Sequence, residues 1–200
     1  MLSHYTADFI KHFPFQKDWK PWEVTSKIPD SIYAKIATLP EKEYTIIDGI
    51  AIHKTAVIEK GVTLKAPVII AENCFIGAHA YLRGGVYLAS SVKIGPGCEI
   101  KTSILLENTA AAHFNFIGDS IVGSNVNFEA GSVIANHYNE RDNKLIFVMH
   151  DGSIVATGVE KFGALVGDNT KVGANAVLSP GTLLMQHSVV KRLELVAQVP

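Results

Sequence analysis

Three basic residues recur at a constant interval, since 18 positions separate Lys65 from Arg83 and Arg83 from Lys101. In a coil of 18 residues per turn, these side chains would lie directly above one another, separated by about the 4.8 Å spacing of hydrogen-bonded strands. Stacked like charges repel one another unless water, counter-ions or an anionic ligand lies between them. The column therefore predicts either a phosphate-binding site or a solvated basic ridge.

His113 follows Lys101 by 12 residues and opens a segment rich in polar side chains. An imidazole titrates near neutral pH, so it can take a proton from an attacking amine or hydroxyl as a general base. A solvated or structural histidine is the alternative interpretation. His113 also lies close to an interruption of the sequence repeat and next to the basic column, which keeps it as a catalytic candidate.

A six-residue repeat would position these side chains. Every sixth residue from Ile52 to Leu106 is Ile or Leu, and a small or β-branched residue stands four positions after each, from Ala56 to Ala110. Neither a helix nor an alternating strand explains that pair of phases. The repeat predicts an all-β solenoid, a parallel β-helix in which each hexapeptide forms one flat side with two inward residues and three sides make one coil. The large inward phase resumes at Phe116, Val122, Phe128, Ile134, Val166, Val172, Leu178 and Leu184.

The repeat also divides the chain. Residues 1–46 lack it and contain a short helix from Asp30 or Ser31, so we expect a helical cap on the first coil. Residues 47–185 form the β-helix, of roughly seven coils, with a loop and hairpin excursion at about 135–162. Residues 186–200 form a C-terminal tail.

Composition excludes several classes of protein. The chain has 200 residues, 48% of them apolar, and a formal net charge of −1, which predicts one folded domain without the electrostatic footprint of a protein that binds nucleic acid or an anionic membrane. No apolar run is long enough to span a membrane, and residues 1–13 lack the features of a signal peptide, so we expect a cytoplasmic protein. Cys74 and Cys98 fall on the small inward phase and are expected to be core thiols, and the histidines lack the clustering of a metal site.

The repeat, together with the segment HFNFIGDSIVGSNVNFEAGSVIAN from His113 to Asn136, resembles the left-handed β-helix acyltransferases with hexapeptide repeats. Within them it is most similar to the acetyltransferase domain of the bifunctional N-acetylglucosamine-1-phosphate uridyltransferase / glucosamine-1-phosphate acetyltransferase family. The resemblance covers residues 47–185, and the intervals between Arg83, Lys101 and His113 match an Arg, a Lys and a His of that family. Residues 1–46 are too few for a uridyltransferase domain.

The resemblance implies a role for each matched residue. His113 corresponds to the catalytic base, Glu99 to its acidic partner, and Arg83 and Lys101 to the clamp on the sugar phosphate. Phe116 replaces an acceptor-contacting Tyr and lacks its hydroxyl. The remaining matches are Asn127 for acceptor binding, Ala130 for contact with the donor, Asn136 and His137 before the loop that crosses the site, and Lys144 for a loop lysine.

The function implied by the resemblance is direct acyl transfer from acetyl-CoA or a related thioester to an amine or hydroxyl of a phosphorylated sugar or nucleotide sugar, without a metal. It also implies the left-handed coil and a homotrimer with sites between subunits. A backbone N–H in the turn at 127–131 is the natural oxyanion donor. Two alternatives remain open: an O-acyltransferase of the UDP-N-acetylglucosamine type that uses acyl carrier protein, and a non-catalytic β-helix that binds a sugar nucleotide.

Overall fold

A computed structural model describes residues 1–199. It confirms the expected fold class, a left-handed β-helix of hexapeptide repeats, with about eight turns. The helices are α1 (Leu2–Tyr5), α2 (Phe9–His12), α3 (Pro21–Ser26) and α4 (Ile28–Ile36), with a 3-10 turn at Pro14–Gln16. Helix α4 begins before the expected Asp30 because Pro29 occupies its first turn, where a missing N–H has no cost.

Twenty-two strands follow the helices in the described part of the chain. They are β1 (Tyr44–Ile47), β2 (Ile50–His53), β3 (Val57–Ile58), β4 (Thr63–Leu64), β5 (Val68–Ile70), β6 (Phe75–Ile76), β7 (Tyr81–Leu88), β8 (Lys93–Ile94), β9 (Glu99–Leu105), β10 (Ala110–Ala111), β11 (Phe116–Gly118), β12 (Ile121–Val122), β13 (Asn127–Phe128), β14 (Val133–Ile134), β15 (Phe147–His150), β16 (Ser153–Ala156), β17 (Ala164–Val166), β18 (Lys171–Val172), β19 (Val177–Leu178), β20 (Thr182–Leu184), β21 (Val189–Val190) and β22 (Leu195–Val196).

The parallel strands form three flat sides. The first side contains β2, β5, the second halves of β7 and β9, β12, β17 and β20. The second side contains β3, β6, β8, β10, β13, β18 and β21. The third side contains β4, the first halves of β7 and β9, β11, β14, β19 and β22.

The interior of the β-helix is a ladder of aliphatic side chains. Ile76, Leu82, Leu88 and Ile94, all in the predicted large inward phase, have no exposed surface. They belong to one apolar cluster that extends from the first coils to Val190. Each inward side chain therefore packs against the coils above and below it, as expected of a solenoid.

The phase of the repeat shifts earlier than the sequence indicated. Arg83 pairs with Lys101, but Val86 pairs with Ser103, because Thr102 with φ of 50° occupies the corner that Gly84 and Gly85 occupy one coil below. Leu105 consequently faces inward in line with Leu88. The predicted inward positions Ile104, Leu106, Ala110 and Phe116 were wrong: Ile104 and Leu106 belong to a second apolar cluster outside the coil, and Ala111 and Ile117 belong to the interior cluster.

The N-terminal segment does not cap the first coil, contrary to expectation. The outward residues of the first side form an apolar column, and all are buried: Ala51, Ile69, Tyr87, Ile104, Ile121, Leu165 and Leu183. Phe9, Trp22, Ile28 and Ile32 from the helices pack in the same cluster. Burial of this column is the physical reason that the helices lie along the side of the β-helix rather than over its end.

Polar contacts fix the N-terminal segment to distant coils. The carboxylate of Asp168 accepts hydrogen bonds from the backbone N–H groups of Ala7, at 2.8 Å, and Ser124, at 2.7 Å. The N–H of Asp168 donates to the carbonyl of Tyr5. Since Asp168 is buried, these contacts anchor the start of the chain to the coil that contains β17.

The two ends of the β-helix differ from the expected boundaries. At the N-terminal end, β1 pairs antiparallel with β2 and covers the edge of the first coil. At the C-terminal end, β21 pairs with β18 and β22 with β19, so residues 186–196 form another turn rather than a tail. The helix continues because Val190 and Val196 keep contact with the interior cluster, which the short run of residues did not reveal.

The predicted hairpin interrupts the solenoid between β14 and β17. Strands β15 and β16 pair antiparallel around Asp151 and Gly152, which have positive φ values of 48° and 73°, as the tight turns of hairpins require. Val148 is buried against the first side, whereas Ile154 is 55% exposed. Within residues 1–199, no helix combines the length and the apolar character needed to cross a bilayer.

Candidate functional site

Arg83 and Glu99 form an ion pair on the third side. The Nε and one terminal nitrogen of Arg83 both donate to Oε1 of Glu99, each at 2.7 Å. Arg83 and Glu99 belong to adjacent coils, with Lys101 beside Arg83 in register. About a third of each side chain is exposed, so an incoming anion can reach the guanidinium.

Lys101 is paired with a different carboxylate, that of Asp119. Asp119 is buried, and the same Oδ2 also accepts a hydrogen bond from the side-chain amide of Asn136. The backbone of Asp119 bonds to the carbonyl of Lys101 and to the N–H of Gly163. Asp119 therefore ties the basic column to both ends of the excursion, since Asn136 precedes it and Gly163 follows it.

The third member of the column is less constrained. Lys65 is exposed and its ammonium lies 5.4 Å from the ring centroid of Tyr81. The Arg83 guanidinium lies 5.6 Å from the same ring. The repulsion expected along the column is thus relieved for Arg83 and Lys101 by carboxylates of the chain itself, which any bound phosphate would have to displace or share.

His113 lies at the corner between the second and third sides and is exposed. The structure does not join it to Glu99 by a hydrogen bond within residues 1–199, because that carboxylate faces Arg83. The two residues are nonetheless close in the coil stack: the N–H of Glu99 donates to the carbonyl of Asn115, two residues after His113. Phe116, directly above Glu99 on the third side, is half-buried.

Asn127 and Glu129 border an open groove of about 660 Å³ on the second side. The groove also contains Lys171, Lys191 and Arg192. The guanidinium of Arg192 donates to both oxygens of Glu129, at 2.8 and 2.9 Å, and this pairing lowers the pKa of that carboxyl. The groove therefore combines an amide with an excess of positive charge.

Ala130 lies in the turn that follows β13. The N–H groups of Asn127, Glu129 and Gly131 donate to carbonyls of neighbouring coils. Within residues 1–199, the N–H of Ala130 donates to no other group of the chain. Among these residues of the turn, Ala130 therefore has the N–H that remains available to a ligand.

The other loop residues matched from the sequence lie apart from the basic column. Lys144 is exposed in the excursion. His137 is exposed, and its Nδ1 lies 3.2 Å from Oδ1 of the neighbouring Asn136. Of the loop residues, only Asn136 is connected to Lys101, through Asp119.

The cysteines are core thiols, as predicted. Cys74 and Cys98 are both buried in the interior cluster. Burial raises the pKa of the Cys74 thiol to about 12 and also raises that of Cys98. Neither is available as a thiolate nucleophile near neutral pH.

Asp119 is the residue whose importance the sequence analysis missed. It stands 18 positions after Lys101, the same interval that defined the basic column, and this interval was the available signal. Because the coil between them has 17 residues, Lys101 pairs with Gly118, and Asp119 lies one position beyond the column. That offset turns a continuing column into an ion pair.

The fold and the repeat define the class of protein, and two family models agree with them. "Bacterial transferase hexapeptide (six repeats)" matches residues 49–84, and "Hexapeptide repeat of succinyl-transferase" matches residues 67–102. The chain belongs to the hexapeptide-repeat proteins with a left-handed β-helix.

Over most of its length the chain is similar to the C-terminal part of bifunctional enzymes. It is 34% identical to "Bifunctional protein GlmU" of Methanococcus vannielii over 174 residues, which are 86% of this chain and 41% of the relative. It is 30% identical to "Bifunctional sugar-1-phosphate nucleotidylyltransferase/acetyltransferase" of Sulfurisphaera tokodaii over 180 residues, 86% of this chain and 44% of the relative. The chain thus spans less than half the length of these relatives.

A solved structure of a perosamine N-acetyltransferase mutant from Caulobacter crescentus, in complex with CoA and GDP-perosamine, also matches. It is 18% identical, and the match covers 66% of this chain and 49% of that chain with a TM-score of 0.31. That likeness is too slight to carry an argument.

Proposed function

We propose that this protein is an acyltransferase that moves an acetyl group from acetyl-CoA to an amine or hydroxyl of a phosphorylated sugar or nucleotide sugar. The observation that carries the proposal is the placement of Arg83 and Lys101 side by side on adjacent coils, with His113 in the following coil. The relative from Sulfurisphaera tokodaii has acetyltransferase in its name, which supports the same reaction type.

Arg83 and Lys101 would hold the phosphate of the acceptor. A guanidinium presents a planar fork to phosphate oxygens, and an ammonium acts as a point charge. The phosphate would replace Glu99 as the partner of Arg83. The released carboxylate of Glu99 would then be able to orient the imidazole of His113.

His113 would take the proton from the attacking amine or hydroxyl as it bonds to the thioester carbonyl carbon. The C–S bond then breaks, and CoA leaves as a thiol after receiving a proton. The N–H of Ala130 is our candidate for the donor that stabilises the oxyanion of the tetrahedral intermediate, because its neighbours in the turn are already bonded. No covalent intermediate on the enzyme is required.

The groove on the second side is our candidate for the donor site. Lys171, Lys191 and Arg192 supply positive charge for the phosphates of CoA, and Asn127 and Ala130 lie at the end nearer His113 in sequence. An acyl carrier protein also presents its thioester on a phosphate-bearing arm, so this groove is compatible with that alternative donor.

Arg83→Ala is expected to raise the apparent KM for a phosphorylated acceptor about tenfold or more, with a smaller effect on kcat, because it removes a phosphate contact made in both ground and transition states. The effect should shrink for an acceptor that lacks the phosphate. Steady-state kinetics with each acceptor measure this.

Lys65→Ala is the matched control, since Lys65 belongs to the same column but lies one coil farther from His113. It should leave both kinetic constants near those of the wild type. Equal kinetics for all three proteins would favour the solvated ridge and a non-catalytic binding β-helix.

We expect the protein to form a homotrimer. The first side is covered by its own N-terminal segment, so contacts between subunits must use the second or third side, where Val57, Val189 and Leu195 are more than half exposed. Closed cyclic symmetry would bury these residues. Light scattering at micromolar concentration should return three times the mass of one chain, whereas a monomer would contradict both the trimer and a site shared between subunits.

A further inference from the structure

An open cleft of about 470 Å³ lies where the N-terminal segment meets the corner of the β-helix. One wall consists of Thr25, Ser26 and Pro29, from the end of α3 and the start of α4. The floor includes Thr102 and Asp119, the residues next to Lys101 and paired with it. The cleft thus adjoins the basic column on the edge that faces the first side.

The opposite wall is formed by Val159, Glu160 and Lys161, just before the chain returns to the solenoid. Glu160 and Lys161 are exposed and are free to turn toward a ligand. Gly84 at the corner has a φ of 71°, and a Cβ there would lie 2.7 Å from Oγ1 of Thr102. Glycine at this corner keeps the approach to Thr102 open.

The chemistry of the lining selects one kind of ligand group. Hydroxyl, carboxylate and ammonium groups can each donate to or accept from sugar hydroxyls, whereas stacking of a nucleobase requires an aromatic ring. Among the described residues that line the cleft there is no aromatic side chain, and the charges of Glu160 and Lys161 balance. A neutral ring with several hydroxyls fits these walls better than a second phosphate does.

We propose that the N-terminal segment forms a wall of the acceptor site and that Ser26, together with Glu160 and Lys161, determines which sugar ring is accepted. The inference rests on the proposed function, in which Arg83 and Lys101 hold the acceptor's phosphate. The phosphate lies on the third side, and the sugar ring extends around the corner into the cleft. Acceptor size is then set by residues 25–29, which the repeat itself does not contain.

Ser26→Trp tests the proposal, because an indole at this exposed position would fill the cleft. With D-glucosamine 1-phosphate as the probe, the apparent KM for the sugar should rise at least tenfold and the KM for acetyl-CoA should change less than twofold. Isothermal titration with the same sugar phosphate should show a matching loss of affinity. Ser3→Trp, an exposed serine of α1 away from the cleft, is the control and should behave as the wild type does.

Glu160→Ala provides a second variant in an exposed segment, in case the tryptophan disturbs folding, and should weaken sugar binding about three- to tenfold. Acyl transfer that neither variant affects would overturn the proposed wall and leave the acyltransferase function intact. Sugar-phosphate binding that is sensitive to both variants, without acyl transfer, would support the wall and contradict the acyltransferase function. Absence of both binding and transfer would overturn both.

Discussion

His113→Ala is expected to lower turnover by about 10²- to 10⁴-fold, the range typical for loss of a general base. The imidazole is exposed and holds no other element in place, so the free energy of unfolding should change by no more than about 0.5 kcal/mol. Binding of acetyl-CoA should remain close to that of the wild type. Release of CoA thiol in the presence of acceptor measures turnover, and thermal denaturation measures stability.

His4→Ala is the matched control for that variant, since His4 is an exposed histidine in α1, on the N-terminal segment. It should retain full turnover. If both histidine variants transfer acyl groups as fast as the wild type, His113 is not the base. The proton would then have to leave through another group.

Ile94→Asp is expected to prevent folding. Ile94 has no exposed surface and lies between Ile76 and Ala111 of the neighbouring coils. A carboxylate there has no partner, and the cost of several kcal/mol is a large part of the about 5 to 15 kcal/mol that stabilises a typical domain. Circular dichroism and urea denaturation should show loss of the cooperative transition.

Lys93→Asp is the control for position 94, because Lys93 precedes Ile94 on the same strand and points outward. That variant should fold and should unfold with a midpoint close to that of the wild type. A folded Ile94→Asp protein with an unchanged midpoint would contradict the inward assignment of this phase of the repeat.

The sequence predicted the solenoid well because its inward positions are chemically distinctive. An aliphatic residue at every sixth position has no explanation in a helix or a plain strand, and the buried ladder through Ile76 and Ile94 follows it. The phase shift at Thr102 was hidden because Ile104, Leu105 and Leu106 are all aliphatic. Any of the three could fill an inward position, so the pattern could not reveal a one-residue deletion.

The position of the N-terminal segment was missed for a related reason. The evidence for it lay in the outward residues Ile69, Tyr87 and Ile121, which fall outside the two inward phases. Reading the third apolar column would have predicted a covered side rather than a capped end. The ion pairs of the site depend on side-chain rotamers around a 17-residue coil, and the spacing of charges in the sequence does not specify them.

Mass spectrometry of the acceptor after incubation with acetyl-CoA tests the central claim most directly. The wild-type protein, supplied with D-glucosamine 1-phosphate or a nucleotide sugar bearing a free amine or hydroxyl, should yield an acceptor that carries one acetyl group in amounts equal to the CoA released. The His113→Ala protein should yield almost none in the same time. Release of CoA without an acetylated acceptor, across a panel of phosphorylated and nucleotide sugars, would contradict the proposed function.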